Sequence, residues 1–392
     1  MRIGLLIRQF RFPEPVCPPR NMNPIWHRTN FFSELVTGSW FPVPLLSAVE
    51  AGPGGSLDYT PSPRPNPGGP RKVIVATSIF GVQPSARVYH GLDHRLVEVG
   101  ERIDEMAAEA RGRHGRGLDL AVFPENTLNP KDGGPLLDRS IELDSRVRDR
   151  IGGKAREHNC YIVVSFNMIE DRATEFVSNV AVLFDRTGNV AGIYRKVFCV
   201  AYPGRELLEG GKTPGTEFPV FDTDFGRLGM QVCYDIAFED GWKALGTAGA
   251  EIIAWTTMSP QTFLPRSHAR RFGYYIVSAT PRNNASVFDP LGRVAAQVTE
   301  PEQPLTCEID LDWRVVHWQP KLRNGQTLRE RYGDRVGFHY SEREDYGIFW
   351  SNDPNTPIEK MLEETKLLAE DVYLPRNRAL RERILATQSV RG

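Results

Sequence analysis

Long apolar runs are missing from this 392-residue chain. None approaches the roughly 18 residues that carry a helix across a bilayer, which argues against a membrane-embedded function. Charge of either sign is not in excess. Forty-eight Lys and Arg stand against 49 Asp and Glu, a net charge of −1, so the basic surplus that nucleic-acid binding draws on is absent. Cysteine is scarce and odd in number, five in all. The amino-terminal stretch lacks a secretory pattern: arginines interrupt its apolar residues and no small-residue cleavage site follows. The thiols are therefore expected to be reduced, in a cytoplasmic protein without a disulfide framework. Cys160, Cys199 and Cys307 lack paired metal-ligand spacing, so core packing is expected of them and no metal.

What is present falls into three stretches. Residues 51–70 are rich in Gly, Pro and Ser, and such a composition buries too little apolar surface to offset chain entropy. With the aromatic-bearing residues 1–50 (Trp26, Phe31, Trp40) they form an expected amino-terminal extension, 1–71, partly flexible. From residue 72 the pattern changes. Residues 73–78 and 118–124 read as buried strands. Leu96, Val99, Ile103, Met106 and Ala110 recur at helical spacing and predict a helix over 92–113. Val147, Ile151 and Ala155 mark a second helix, and 161–166 a third strand. Three strand–turn–strand signals follow, with turns at 186–189, 224–226 and 289–292. Helices are predicted near 239–248 and 264–273, and strands at 251–256 and 275–279. Strands, helices and hairpins in this order predict a layered α/β domain with a mixed sheet over 72–315. Beyond Trp318 the chain is polar and charged. A helical carboxy-terminal extension, 316–392, is expected, with surface helices over 357–369 and 376–386.

The chemistry gathers at three strand ends. Cys233 follows a strand and precedes a helix, a junction where backbone N–H groups point at a substrate oxygen and a thiolate serves as nucleophile. Most free cysteines are buried small hydrophobes, so Cys233 alone is a weak signal. Glu125 stands in Val-Phe-Pro-Glu-Asn, where a solvated loop carboxylate is the plain alternative. Lys196 stands in Ile-Tyr-Arg-Lys-Val-Phe, where an edge-strand lysine is the plain alternative. Together a base, a fixed cation and a thiol are what amide hydrolysis needs.

The order Glu125, Lys196, Cys233, in the contexts Pro-Glu-Asn, Tyr-Arg-Lys and Cys-Tyr-Asp, resembles the nitrilase superfamily of carbon–nitrogen hydrolases. The resemblance covers about 72–312, with gaps of 71 and 37 residues between the three. It implies a four-layer αββα sandwich, a homodimer or higher homo-oligomer, and no cofactor. It assigns Glu125 as general base, Lys196 as oxyanion-stabilising cation and Cys233 as nucleophile, with the backbone N–H of Tyr234 completing the oxyanion hole. A second glutamate after the lysine is implied too. Glu206 is the expected choice and Glu209 the alternative. Asp235 and Glu239 are expected to be caps or supporting groups. Trp255, Thr256 and Thr257 are expected to line the pocket, with core packing of that strand an equal alternative. The chain departs from the amidase pattern at 268–275, where a glutamate and an asparagine are absent. His268 is given no role and Arg270 a structural one.

Cys-Tyr-Asp resembles amidases and N-carbamoyl hydrolases rather than true nitrilases, which show Cys-Trp-Glu. The expected reaction is hydrolysis of a linear amide or N-carbamoyl bond in a small molecule. Nitrile hydrolysis, acyl transfer at the same cysteine, and a non-catalytic scaffold on the same fold are the alternatives.

Overall fold

A computed structural model describes residues 70–81, 88–129, 134–204, 206–301 and 303–389. Nearly all of the extension expected over 1–71 lies outside the described residues.

The chain first builds β1 (Lys72–Ser78), α1 (Leu92–His114), β2 (Leu120–Val122), α2 (Ser145–His158), β3 (Tyr161–Asp171), β4 (Phe176–Phe184) and β5 (Val190–Arg195). It then forms β6 (Val220–Asp222), β7 (Arg227–Val232), α3 (Glu239–Thr247), β8 (Ile252–Thr256), α4 (Phe263–Phe272), β9 (Tyr275–Ala279), β10 (Ala285–Phe288) and β11 (Val294–Val298). β12 (Pro304–Asp310) returns to pair with β1. Two six-stranded sheets result, ordered β12-β1-β2-β3-β4-β5 and β11-β10-β9-β8-β7-β6. In each, the three central strands run parallel, joined by helical crossovers, and the outer pairs are antiparallel.

Strand alternation decides which side chains fill which layer. Val75, Leu120, Val122 and Val163 of the first sheet meet Met230, Ile252, Ala254 and Val277 of the second. The opposite parity, Ile74, Ile162 and Val164, packs under Val99, Ile103, Met106, Val147 and Ile151 of α1 and α2. Ile253, Trp255 and Ile276 pack under Trp242, Leu245 and Phe272 of α3 and α4. The layers run helix, sheet, sheet, helix. This is the expected αββα sandwich.

The β4–β5 hairpin carries the chain to Lys196. Asp185 Oδ1 accepts the backbone N–H groups of Thr187 (2.8 Å) and Asn189 (2.9 Å), which closes the turn. Gly188 sits at φ 83°, and a Cβ there would lie 2.4 Å from the Gly152 carbonyl oxygen. Only glycine fits both conditions.

The carboxy-terminal stretch corrects the expectation of a purely helical extension. β13 (Trp313–His317), α5 (Gln326–Tyr332), β14 (Val336–Ser341) and β15 (Tyr346–Ser351) precede α6 (Ile358–Thr365) and α7 (Glu370–Ser389). The strands form an antiparallel sheet ordered β13-β15-β14. Val336, Phe338 and Tyr340 alternate with Gly337, His339 and Ser341, which suits a half-buried strand. The charged turn at 342–345 and short strand lengths hide this in composition. Glu370 of α7 ties the stretch to the sandwich, meeting Arg270 of α4 at 2.8 Å and His317 of β13 at 2.9 Å. Arg270 is thus structural. Among the described residues no helix is long and apolar enough to cross a membrane.

Candidate active site

Three strand ends converge. Glu125 follows β2, where Phe123 N–H extends the ladder to the Val163 carbonyl (3.0 Å) and Thr127 Oγ1 closes the turn on the Pro124 carbonyl (2.6 Å). Lys196 follows β5, its N–H donated to the Asn179 carbonyl at 2.8 Å. Cys233 follows β7 at φ 44°, in the left-handed region that a non-glycine residue occupies at a cost of about 1–3 kcal/mol. The surroundings hold it there. Asp235 Oδ2 accepts Val232 N–H and Tyr194 Oη–H, at 2.9 and 2.8 Å, and its Oδ1 accepts Phe198 N–H at 2.9 Å. Trp255 Nε1–H donates to the Cys233 carbonyl (3.2 Å) and Trp242 Nε1–H to the Asp235 carbonyl (2.9 Å).

The charged groups form one buried network. Lys196 Nζ donates to Glu125 Oε1 at 3.1 Å and to Glu209 Oε1. Glu209 also accepts Val200 N–H (3.1 Å), Lys212 Nζ (3.4 Å) and Asn179 Nδ2 (3.3 Å). Asn179 Nδ2 reaches Glu125 Oε1 as well, at 2.7 Å. Lys196 is 1% exposed and Glu125 6%, so these pairings work with little solvent screening. Burial opposes the Lys196 charge, but Glu125, Cys233 and Glu209 outweigh it and hold the ammonium well above its ordinary pKa. Burial likewise opposes the Glu209 charge, and Lys196 and Lys212 hold that carboxyl below its usual range.

The Cys233 thiol feels the charges of both Glu125 and Lys196. Burial, then the Glu125 charge, push it up to about 12, against the pull of Lys196. At neutral pH the resting group is a thiol. Burial also pushes the Asp235 carboxyl up, to about 6, against the bonds it accepts from Phe198, Val232 and Tyr194.

Of the residues singled out in the sequence, Glu125, Lys196 and Cys233 are brought together. Glu206 is not: it is solvent-exposed, and Glu209 takes the place expected for it. The loop after Val200 folds back so that Glu209 N–H meets the Val200 carbonyl at 2.8 Å, which aims the later glutamate inward. Trp255 is corrected too. Its side chain packs in the helix-covered core, 6.3 Å from Trp242, and supports the Cys233 turn from beneath. Thr256 pairs in register with Val232, the residue before Cys233, and is fully buried. Tyr234 is 40% exposed with its ring edge against Phe238 (5.5 Å), and its backbone N–H directly follows Cys233. His268 is a core residue, stacked on Trp242 at 4.9 Å with Nε2 near the Ile236 carbonyl.

Asn179, Lys212 and Tyr194 were missed. Tyr194 precedes Lys196 by two residues and so shares its strand face, a signal that alternation offers. Asn179 lies inside β4 and carries no comparable local signal. Among the described residues, Asp104, Glu157 and His158 offer three metal-type donors on the outer helices. Lys154 Nζ lies 2.7 Å from Asp104 and 2.9 Å from Glu157, so a cation already sits among them.

A family model described as carbon-nitrogen hydrolase matches residues 96–315, more than half of the chain. The chain belongs to the carbon-nitrogen hydrolase family. Its relatives include the omega-amidase NIT2 of Homo sapiens, 24% identical over 217 residues, covering 50% of this chain and 78% of that protein. The deaminated glutathione amidase of Yersinia enterocolitica is 30% identical over 145 residues, covering 35% of this chain and 51% of that protein. The chain spans about half the length of two of the curated relatives that it matches, the probable nitrilase of Schizosaccharomyces pombe and the Yersinia enterocolitica amidase. Among solved structures, Nit3 of Saccharomyces cerevisiae, a member of branch 10 of the nitrilase superfamily, has a TM-score of 0.51 at 18% identity. That match covers 67% of this chain and 94% of the yeast one. At that identity it speaks for the fold alone, the same sandwich that carries the candidate site here.

Proposed function

We propose that this protein hydrolyses the C–N bond of a linear amide or N-carbamoyl small molecule through a thioester on Cys233. The reading rests on one observation above all: a partly buried thiol stands at one strand end beside a buried carboxylate and ammonium from two others.

The raised thiol pKa means no thiolate is stored at rest, so proton transfer accompanies attack. Glu125 takes the Cys233 proton as Sγ bonds to the substrate carbonyl carbon. The C=O π pair moves onto oxygen, where Lys196 Nζ–H and the Tyr234 N–H receive it. Glu125 then hands its proton to the departing nitrogen. The C–N bond breaks, ammonia or an amine leaves, and the acyl group stays on sulfur. Glu125 next takes a proton from water while the oxygen attacks the thioester. Collapse expels the sulfur, which recovers its proton from Glu125, and releases the acid. Glu209 and Lys212 keep the Lys196 side chain in place through both halves.

Aliphatic amides, ureido acids and nitriles offered to the full chain, with ammonia as readout, test this. Turnover of amides or ureido acids that vanishes in Cys233→Ala is the expected result. Turnover that survives Cys233→Ala removes the nucleophile, and turnover of nitriles alone removes the amide reading.

A further inference from the structure

We propose that Asn179 is a positioning residue for the reaction: it presents one oxygen of Glu125 to the Cys233 thiol and yokes Glu125 to Glu209. The proposal rests on the reading of Glu125 as the base.

Asn179 is 1% exposed, one residue into the β4 strand from the pair that faces Arg195. Its Nδ2 lies 2.7 Å from Glu125 Oε1 and 3.3 Å from Glu209 Oε2. Chemistry dictates that orientation. A flipped amide would set its oxygen against two carboxylates, whereas the amino end offers each a proton. Its own carbonyl accepts the Lys196 N–H at 2.8 Å. One residue therefore fixes the backbone of the cation and the carboxylates on either side of it. The amide oxygen, Oδ1, is buried without a hydrogen-bond partner.

The consequence lies at Glu125. Asn179 and Lys196 both donate to Oε1. That oxygen is the less basic of the two, and Oε2 is left to take the thiol proton. With Lys196 as its single donor, the carboxylate turns about one bond and the acceptor oxygen wanders. A second donor in a different direction stops the rotation. Glu209, held by Lys196, Lys212, Val200 N–H and Asn179, is the rigid side of the yoke.

The experiment needs no substrate. Iodoacetamide modification of Cys233 in the full chain is followed by peptide mass spectrometry across pH 6–10, with Cys307 as internal control, in wild type, Asn179→Ala, Asn179→Asp and Glu125→Gln. Asn179→Ala is expected to slow Cys233 alkylation at neutral pH by about tenfold or more, the usual effect of losing a hydrogen bond to a charged group, and to displace its pH profile to higher pH. Asn179→Asp, the same size with a third negative charge, is expected to slow it further. A purely structural role changes the melting temperature and leaves the Cys233 profile where it was. If Asn179→Ala does not fold, the Asp variant decides. Asn179 variants within twofold of wild type beside a displaced Glu125→Gln profile, in either direction, overturn the positioning role alone. An unchanged profile in Glu125→Gln overturns the base and the proposal with it.

Discussion

Glu209 and Glu206 are three residues apart, and exchanging each for glutamine separates the two assignments cleanly. Glu209 accepts Lys196, Lys212, Asn179 and the Val200 N–H, and its side chain is 7% exposed. Removing one partner of a buried ion pair costs roughly 3–5 kcal/mol, because the charge left behind is uncompensated. Glutamine keeps one oxygen for Val200 N–H or Lys196, and Lys196 retains Glu125, which places Glu209→Gln near the lower end, about 3 kcal/mol. At a urea slope of about 2–3 kcal/mol per molar, the unfolding midpoint falls by about 1 M at pH 7. The sign with pH follows from linkage. The Glu209 carboxyl is held below its ordinary 4.5, so its stabilisation is fully present above that value and is lost as pH falls through the lower folded one. The penalty of Glu209→Gln therefore shrinks on acidification. Glu206 is exposed, and Glu206→Gln is expected to stay within about 0.5 kcal/mol of wild type. Urea titrations followed by far-ultraviolet circular dichroism at pH 7 and pH 4 read both. The reasoning is refuted if Glu206→Gln shifts the midpoint as far as Glu209→Gln, or if the Glu209 penalty does not depend on pH.

Two further outcomes follow from the turns that carry the site. The Asp235 carboxyl is raised to about 6, so the folded chain holds its proton more tightly than the unfolded one. Its contribution is full below the unfolded value near 3.8 and is lost as pH rises through about 6, on the order of 3 kcal/mol. Urea midpoints from pH 4 to 8 should decline over that window in wild type and flatten in Asp235→Asn; an equal decline in both would exclude Asp235 as the source. Gly188→Ala, at φ 83° with a Cβ 2.4 Å from the Gly152 carbonyl oxygen, is expected to destabilise by more than about 1 kcal/mol. A melting temperature unchanged in that variant would show that the β4–β5 turn rearranges freely.

Much of the fold was legible because period-two and helical spacing each report a single local geometry. The helix over 92–113 is found at Leu92–His114, and the helices near 239–248 and 264–273 at Glu239–Thr247 and Phe263–Phe272. The sheet at 313–351 was missed because its short strands are embedded in charged sequence. Glu125, Lys196 and Cys233 were legible as strand-end residues of three chemical types, and their meeting depended only on which strand ends are neighbours. The partners around them were not. Glu206 and Glu209 are indistinguishable by spacing, and the fold-back of the loop after Val200 chooses between them. Trp255 or Thr256 facing the site is a matter of strand parity, and parity becomes a direction only once the layers are known. Asn179 shows the limit most clearly. A regular ladder counted outward from the Phe184–Val190 pair puts Ser178 opposite Lys196. The bulge between Leu183 and Phe184 shifts the register by one and brings Asn179 there instead. The sequence by itself determined the elements and the candidate groups at their ends, since these depend on neighbours along the chain. Only the tertiary structure decided what holds those groups, because a loop's path and a one-residue register shift are settled by packing between distant strands.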